Sequence, residues 1–247
     1  MNCCQVWCIS SSRKRKGTHL KKLFVALLFA ILVTTITPGL RAQDLKSVLA
    51  KLDTAAAKFN SATADFEYDI VVTDPVPETD VQKGNIYYAR KGKSFESGVH
   101  INEIDGKPVP KVIVFSRGAL KMYDKLIDQV TTFQKAGKYE SYLALGFGAS
   151  GKDLTDKFNV KYLGSDTIGG VNTDKLELVA KDPEVLRYFP KITIWIDPDR
   201  SVSLKQVFDE GQGQSRTAIY SNIRLNQSLP SDAFAFKTDS KTQFVNR

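Results

Sequence analysis

Two hydrophobic periods divide the chain. From residue 45 apolar side chains recur every three or four positions, at Leu45, Val48, Leu49, Leu52, Ala55, Ala56 and Phe59. That spacing lines one face of a helix over 45–59, with Asp44 as its N-cap and Asn60-Ser61 as its stop. Beyond it the period falls to two. Phe66, Tyr68 and Ile70 alternate with Asp65, Glu67 and Asp69, and Ile86 and Tyr88 lead in phase to Arg90. Leu176 and Leu178 alternate with Lys175 and Glu177; Ile192, Ile194 and Ile196 alternate with Lys191, Thr193 and Trp195. Ile219, Ser221, Ile223 and Leu225 form one further face. Such alternation predicts antiparallel strands with one buried face each.

Turn signals separate these runs: Asp105-Gly106, Arg117-Gly118, Gly169-Gly170, Asp197-Pro198-Asp199 and Gly211-Gln212-Gly213. Residues 139–145 and 152–158 read as short helices around the glycine-rich Gly146–Gly151, and Asp182-Pro183-Glu184 starts another. No βαβ rhythm appears. The pattern predicts one mostly β domain over 43–247: an incomplete antiparallel barrel, a curved sheet covered by the N-terminal helix and the short central helices.

The segment before the helix has a different character. Arg13, Lys14, Arg15, Lys16, Lys21 and Lys22 precede an apolar run over 23–36, and Pro38-Gly39 breaks it ahead of Ala42. This is the plan of a cleavable export signal over 1–42. The run is too short to span a bilayer comfortably, and no cysteine stands at the cut to carry a lipid anchor. The leader changes the charge balance: seven of the 35 basic residues and none of the 27 acidic ones lie before residue 43, which leaves 28 against 27. A near-neutral mature chain has no basic patch for nucleic acid. All three cysteines also lie in the leader, so no disulfide staples an exported domain, which rests on its core. The expected location is the periplasm, as a soluble monomer.

Candidate chemistry is sparse. His100 is the one histidine after the leader, too few for a metal centre and without a nucleophile motif beside it. Gly146–Lys152 approaches a phosphate-binding loop but continues with Asp153, which supplies no hydroxyl and repels phosphate. That stretch reads instead as a helix end, loop and next helix start. Asp197 with Asp199 and Asp209 with Glu210 read as turns. Hence no catalytic residue, no metal and no cofactor are expected. Aromatic and aliphatic strand residues remain, either as packed core or, for those on the concave face, as the lining of an acyl-chain cavity: Phe66, Tyr68 and Ile70, Ile86 and Tyr88, then Phe115, Met122 and Trp195, with Tyr87, Tyr123, Phe208 and Tyr220 as further aromatic candidates.

Several stretches, taken in order, resemble the periplasmic outer-membrane lipoprotein carrier family, LolA-like proteins. They are Ala64-Asp65-Phe66, Gly84-Asn85-Ile86-Tyr87-Tyr88-Ala89-Arg90, Ser116 to Asp124 (SRGALKMYD), Ile194-Trp195-Ile196-Asp197 and Phe234-Ala235-Phe236. The resemblance covers the whole mature chain. It implies an incomplete barrel closed by helices, and a carrier that takes triacylated lipoproteins or lipids from an inner-membrane lipoprotein-releasing transporter to an outer-membrane receptor. It also implies that Arg90 hydrogen-bonds the covering helices and holds the empty cavity shut, although Lys91 replaces the family's following proline. Leu45, Leu49 and Leu52 of the first helix, with Leu143 and Phe147 of the central segment, are the expected lid. Other expectations from the same residues are a lipoprotein-sensing regulatory domain, a carrier of free lipid, and, from a different class, a hydrolase using a carboxylate or His100.

Overall fold

The switch of period falls close to the expected place. In the computed structural model, which describes residues 44–247 apart from Pro75 and Lys93, helix α1 spans Leu45–Ala56 and Asp44 caps it by accepting from the Ser47 amide. α1 ends three residues short of the expected 59. Val48 and Leu52 belong to one core cluster and Phe59 to another, so the chain tightens through Lys58 N–H to Ala55 and Phe59 N–H to Ala56 and leaves the helix axis. The expected leader, 1–42, lies outside the described residues.

Among the described residues twelve strands follow, in one sheet. They are β1 (Ser61–Val72), β2 (Glu78–Lys91), β3 (Ser94–Ile104), β4 (Lys107–Ser116), β5 (Ala119–Asp124) and β6 (Gln129–Phe133), then β7 (Phe158–Ile168), β8 (Val171–Ala180), β9 (Lys191–Asp197), β10 (Val202–Gly211), β11 (Gln214–Leu225) and β12 (Gln243–Asn246). The spatial order is β12-β6-β5-β4-β3-β2-β1-β11-β10-β9-β8-β7. All neighbours are antiparallel except β12, which runs parallel to β6. The sheet is open and curved, and does not close into a barrel: β12 and β7 are its two edges. Between β6 and β7 lie a 3-10 turn (Ala136–Tyr139), α2 (Glu140–Leu143) and α3 (Gly151–Lys157); α4 (Pro183–Tyr188) joins β8 to β9. No helix among the described residues is long and apolar enough to cross a membrane.

Two apolar clusters lie on the concave face. The first joins Val48 and Leu52 of α1 and Leu154 of α3 to Leu176, Leu178, Ile192, Ile194 and Ile196, all essentially without solvent exposure. Each such side chain stabilises the fold by roughly 1.5–3 kcal/mol. Gly151 has no side chain, and the Leu49 backbone passes where one would stand, so α3 lies directly against α1. The second cluster joins Phe59, Ala62, Ala64, Phe66, Ile86, Tyr88, Ile101, Phe147 and Val202.

On β11 the expected single face is incorrect. Ile219 and Ser221 are exposed, whereas Ala218 and Tyr220 point inward; Ile223 and Leu225 then rejoin the second cluster. The cause is a bulge. Asn222 has φ of 51°, and the β1 pairing shifts between Thr63 and Asp65, which exchanges inside for outside in mid-strand.

Beyond β11 the chain straps the outer face of the sheet. Asn226 Oδ1 accepts from the Asn60 and Ser61 amides, Ala233 is buried, and Phe236 stacks on Tyr123 at 5.2 Å. The Ala233 carbonyl occupies the space that a side chain at Gly98 would fill.

Candidate functional site

The register of the central strands places one row of side chains on the concave face. Phe66 stands between Gly84 and Tyr220, Tyr68 between Gln82 and Ala218, and Ile70 beside Arg216. Ile86 pairs with Val99, which pairs with Ile113. These side chains line a hollow of about 410 Å³, roofed by Tyr142 and Leu143 of α2. A second hollow of about 420 Å³ adjoins it, shares Tyr68, Leu120, Tyr142, Leu143 and Phe208, and extends to Val185, Tyr188 and Phe189 around α4. Both volumes lie within the usual range of ligand pockets, roughly 300–1,000 Å³.

Phe147 stops one end of the hollow. It is wholly buried, stacked on Tyr88 at 4.4 Å and edge-on to Tyr220 at 4.9 Å. The flanking glycines make this insertion feasible. Gly146 and Gly148 have φ of 81° and 72°, and side chains there would overlap Ser203 and the Phe59 ring. So the glycine-rich stretch that approached a phosphate loop is a plug on a tight backbone. Its Ser150 and Asp153 form the capping box of α3, which gives Asp153 its role.

The polar atoms at this blind end are turned toward the protein itself. The Tyr88 hydroxyl donates to the Leu143 carbonyl at 3.1 Å, Tyr220 donates to Gln206 Oε1 at 3.3 Å, and Gln206 Nε2 donates to the Leu145 carbonyl at 2.7 Å. Burial pushes the Tyr88 and Tyr220 phenols well above the ordinary range, so both stay neutral. The surface left to a guest is mostly apolar; the other polar side chains of the lining are Ser97, Gln82 and Arg216. At the opposite end Ile70, Gln82 and Arg216 are half-buried, and Arg216 pairs with Glu210. Burial also raises the Tyr68 phenol there, against the opposing pull of Arg216.

Arg90 lies at the blind end. Its Nε donates to the Phe59 carbonyl at 3.0 Å, and Nη2 donates to the carbonyls of Ala56 at 3.2 Å and Gly148 at 3.0 Å. The Phe95 ring lies 5.1 Å from the guanidinium carbon. One side chain thus joins the end of α1, the turn after it and the segment that carries Phe147.

The other expected residues divide. Phe66, Tyr68, Ile70, Ile86, Tyr88 and Leu143 line the hollow. Trp195 does not: it alternates with buried Ile194 and Ile196 and stands on the outer face, where Lys175 and Lys205 lie against its ring and its Nε1 donates to Asp166 at 2.8 Å. Phe115 and Met122 pair with Ser97, Leu120 and Ile113 on the concave face, but neither lines the hollow; Phe115 is fully buried. Leu45, Leu49 and Leu52 pack on the first cluster, away from the hollow, because α1 lies over β8 and β9. Phe147 is the plug rather than a covering residue. His100 is a strand residue edge-on to Tyr87 at 5.1 Å. Asp197 accepts from the Asp199 and Arg200 amides, and Asp209 from the Gly211 amide, as turn residues do. Among the described residues no cluster of three His, Cys, Asp or Glu side chains could hold a metal.

Phe208 and Tyr220, two of the aromatic candidates, also line the hollow, whereas the sequence reading missed Val99, Ile101, Ile113 and Tyr142. The alternation of Ser97, Val99 and Ile101 carried a signal for the β3 residues. Tyr220 was among the aromatic candidates, but the single face read through Ile219 and Ser221 excluded it, because the bulge at Asn222 exchanges the faces in mid-strand.

Comparison with known proteins gives the lineage. The family model described as outer membrane lipoprotein carrier protein LolA matches residues 57–237, most of the chain. The chain belongs to the LolA family. A solved structure of an uncharacterized conserved protein from Thermus thermophilus is 11% identical, with a TM-score of 0.51 over 82% of this chain and 98% of that one. The crystal structure of MucB is 13% identical, with a TM-score of 0.50 over 83% of this chain and 66% of that one. At such identities these two establish the fold of the LolA-family chain and nothing finer. The uncharacterized protein MJ0687 of Methanocaldococcus jannaschii is 32% identical over 116 residues, 47% of this chain. This chain spans about a third, 32%, of the length of that curated relative.

Proposed function

We propose that this LolA-family protein is a carrier for acylated cargo, which holds the acyl chains of lipoproteins or lipids in the concave hollow. The observation that carries this is the lining itself. The walls are mostly aliphatic and aromatic, Gln82 and Arg216 stand at the open end, and Tyr88, Tyr220 and Gln206 spend their hydrogen bonds on the protein's own groups. Water gains little in such a space and methylenes gain about 0.8 kcal/mol each, so three chains sum to tens of kcal/mol. A guest of that kind cannot cross water unaided.

In this reading the leader is removed after Ala42, the mature chain works in the periplasm as a monomer, and it acts by binding rather than by turnover. Cargo arrives from an inner-membrane lipoprotein-releasing transporter and leaves to an outer-membrane receptor. α2 is the movable cover, and Arg90 sets how firmly the segment around Phe147 is held. The test is mass spectrometry of material bound to protein purified from its own periplasm. Wild type and Arg90→Leu are expected to carry acylated species in different amounts. Recovery of none from either would overturn the proposal.

A further inference from the structure

The hollow opens at one rim of the sheet, and that rim has an uncommon surface. Ile70 beside Arg216 and Gln82 beside Ile104 are half-buried where β1, β2 and β11 end. By strand pairing, the β1–β2, β3–β4, β5–β6 and β10–β11 turns, the start of β12 and helix α4 all lie along this same rim. Among the described residues eight large apolar side chains are exposed, and six of them stand on it: Val76, Leu126, Ile127, Leu186, Tyr188 and Phe244. The remaining two, Leu163 and Ile219, lie on strands. Leu126 and Ile127 occupy a hairpin tip at 65% and 62% exposure, where polar residues are the rule. Phe244, 64% exposed, pairs with Val130 three residues on from Ile127. Tyr188 is 59% exposed and lines the second hollow.

We propose that this rim docks on an anionic lipid bilayer, with Leu126, Ile127 and Phe244 on one side of the mouth and Leu186 and Tyr188 on the other entering the interface. Two observations favour a bilayer over a protein. The apolar side chains come singly or in pairs from separate connections, whereas the core of a protein interface is contiguous; a lipid interface admits isolated side chains. Basic residues also accompany them. Lys125 precedes Leu126, Lys241 precedes Phe244 by three positions, and Arg187 separates Leu186 from Tyr188, all exposed. The acids of the same hairpin are engaged within the protein: Asp124 pairs with Lys111 at 3.0 Å, and Asp128 accepts from Tyr123 and Thr242. On α4 Asp182 caps the helix by accepting from the Glu184 amide, and the first turn carries Glu184 as the last turn carries Arg187. Only the Val76 turn, flanked by Asp74 and Glu78, lacks this basic company, and it is left out of the docking face. In this pose the mouth faces lipid, and an acyl chain passes between bilayer and hollow without meeting water.

The inference rests on the hollow being a lipid site, and flotation separates the two. Residues 43–247, which contain the whole sheet and both core clusters, are floated with phosphatidylcholine vesicles with and without phosphatidylglycerol. Wild type is expected to float with the anionic vesicles, less so at raised salt. The double variant Leu126→Asp, Ile127→Asp is expected to lose at least about tenfold in bound fraction, with its urea midpoint unchanged. Ile219→Asp on the outer face is expected to float as wild type does. Three results overturn the docking: wild type that copurifies with lipid yet never floats, an equal loss in Ile219→Asp, or a dimer that the double variant makes monomeric, which assigns the rim to a second copy. Absence of bound lipid in the mass spectrometry above sinks the carrier reading instead.

Discussion

Replacing Phe147 by alanine separates packing from cavity length in one variant. The ring is wholly buried and meets Tyr88 at 4.4 Å and Tyr220 at 4.9 Å. Loss of a buried phenylalanine costs about 3–5 kcal/mol, and the two ring contacts account for about 0.5–1.5 kcal/mol each of that. Against a total stability of roughly 5–15 kcal/mol the variant still folds, with a lower urea midpoint. The vacated space adjoins the 410 Å³ hollow through Tyr88 and Tyr220, which line it. A guest can therefore extend into the void, which leaves room for a few methylenes at about 0.8 kcal/mol each, roughly fourfold in affinity per methylene. The assay is displacement of a fluorescent fatty acid by a series of saturated chains, read beside urea unfolding with and without ligand. The optimum chain length is expected to move longer, and the longest chains to restore part of the lost stability. A loss under about 1 kcal/mol refutes the packing argument. A large loss with an unmoved optimum refutes the claim that the plug ends the hollow.

Arg90→Leu strands the carbonyls of Ala56, Phe59 and Gly148, and a loss of about 3 kcal/mol in urea unfolding is expected, with Arg90→Lys recovering part of it; equal stability of wild type and Arg90→Leu refutes the staple. Alkaline pH weakens the fold. Tyr88 and Tyr220 have raised folded-state values, so above about pH 10 the unfolded chain gives up protons that the folded chain keeps, and stability falls by up to about 1.4 kcal/mol per pH unit per phenol. Tyr220→Phe should flatten that fall in denaturant titrations from pH 9 to 11, and an unchanged slope counts against burial of the phenol. Trp195→Phe should leave probe binding unaltered and let the Asp166 carboxyl, now held low first by the indole N–H, rise toward its ordinary value in an NMR titration; weaker probe binding would return Trp195 to the cavity.

Period two in Phe66-Tyr68-Ile70, Ile86-Tyr88, Leu176-Leu178 and Ile192-Ile194-Ile196 determined by itself which faces are buried, and all of those faces are concave. Asp44, Asp182-Pro183 and the paired glycine turns marked element ends, because cap and turn chemistry acts within a few residues. The order of weak motifs around Arg90 was enough for the family. Tertiary structure alone decided how one apolar face divides into core and hollow. Leu176 and Tyr68 both face inward, yet α1 covers the first, and among the described residues none fills the space before the second. That division depends on where covering segments from distant parts of the chain come to rest. The bulge at Asn222 and the Phe147 plug have the same origin: each matches a backbone irregularity to a partner far away in sequence, and a periodicity of side chains carries no information about vacant volume.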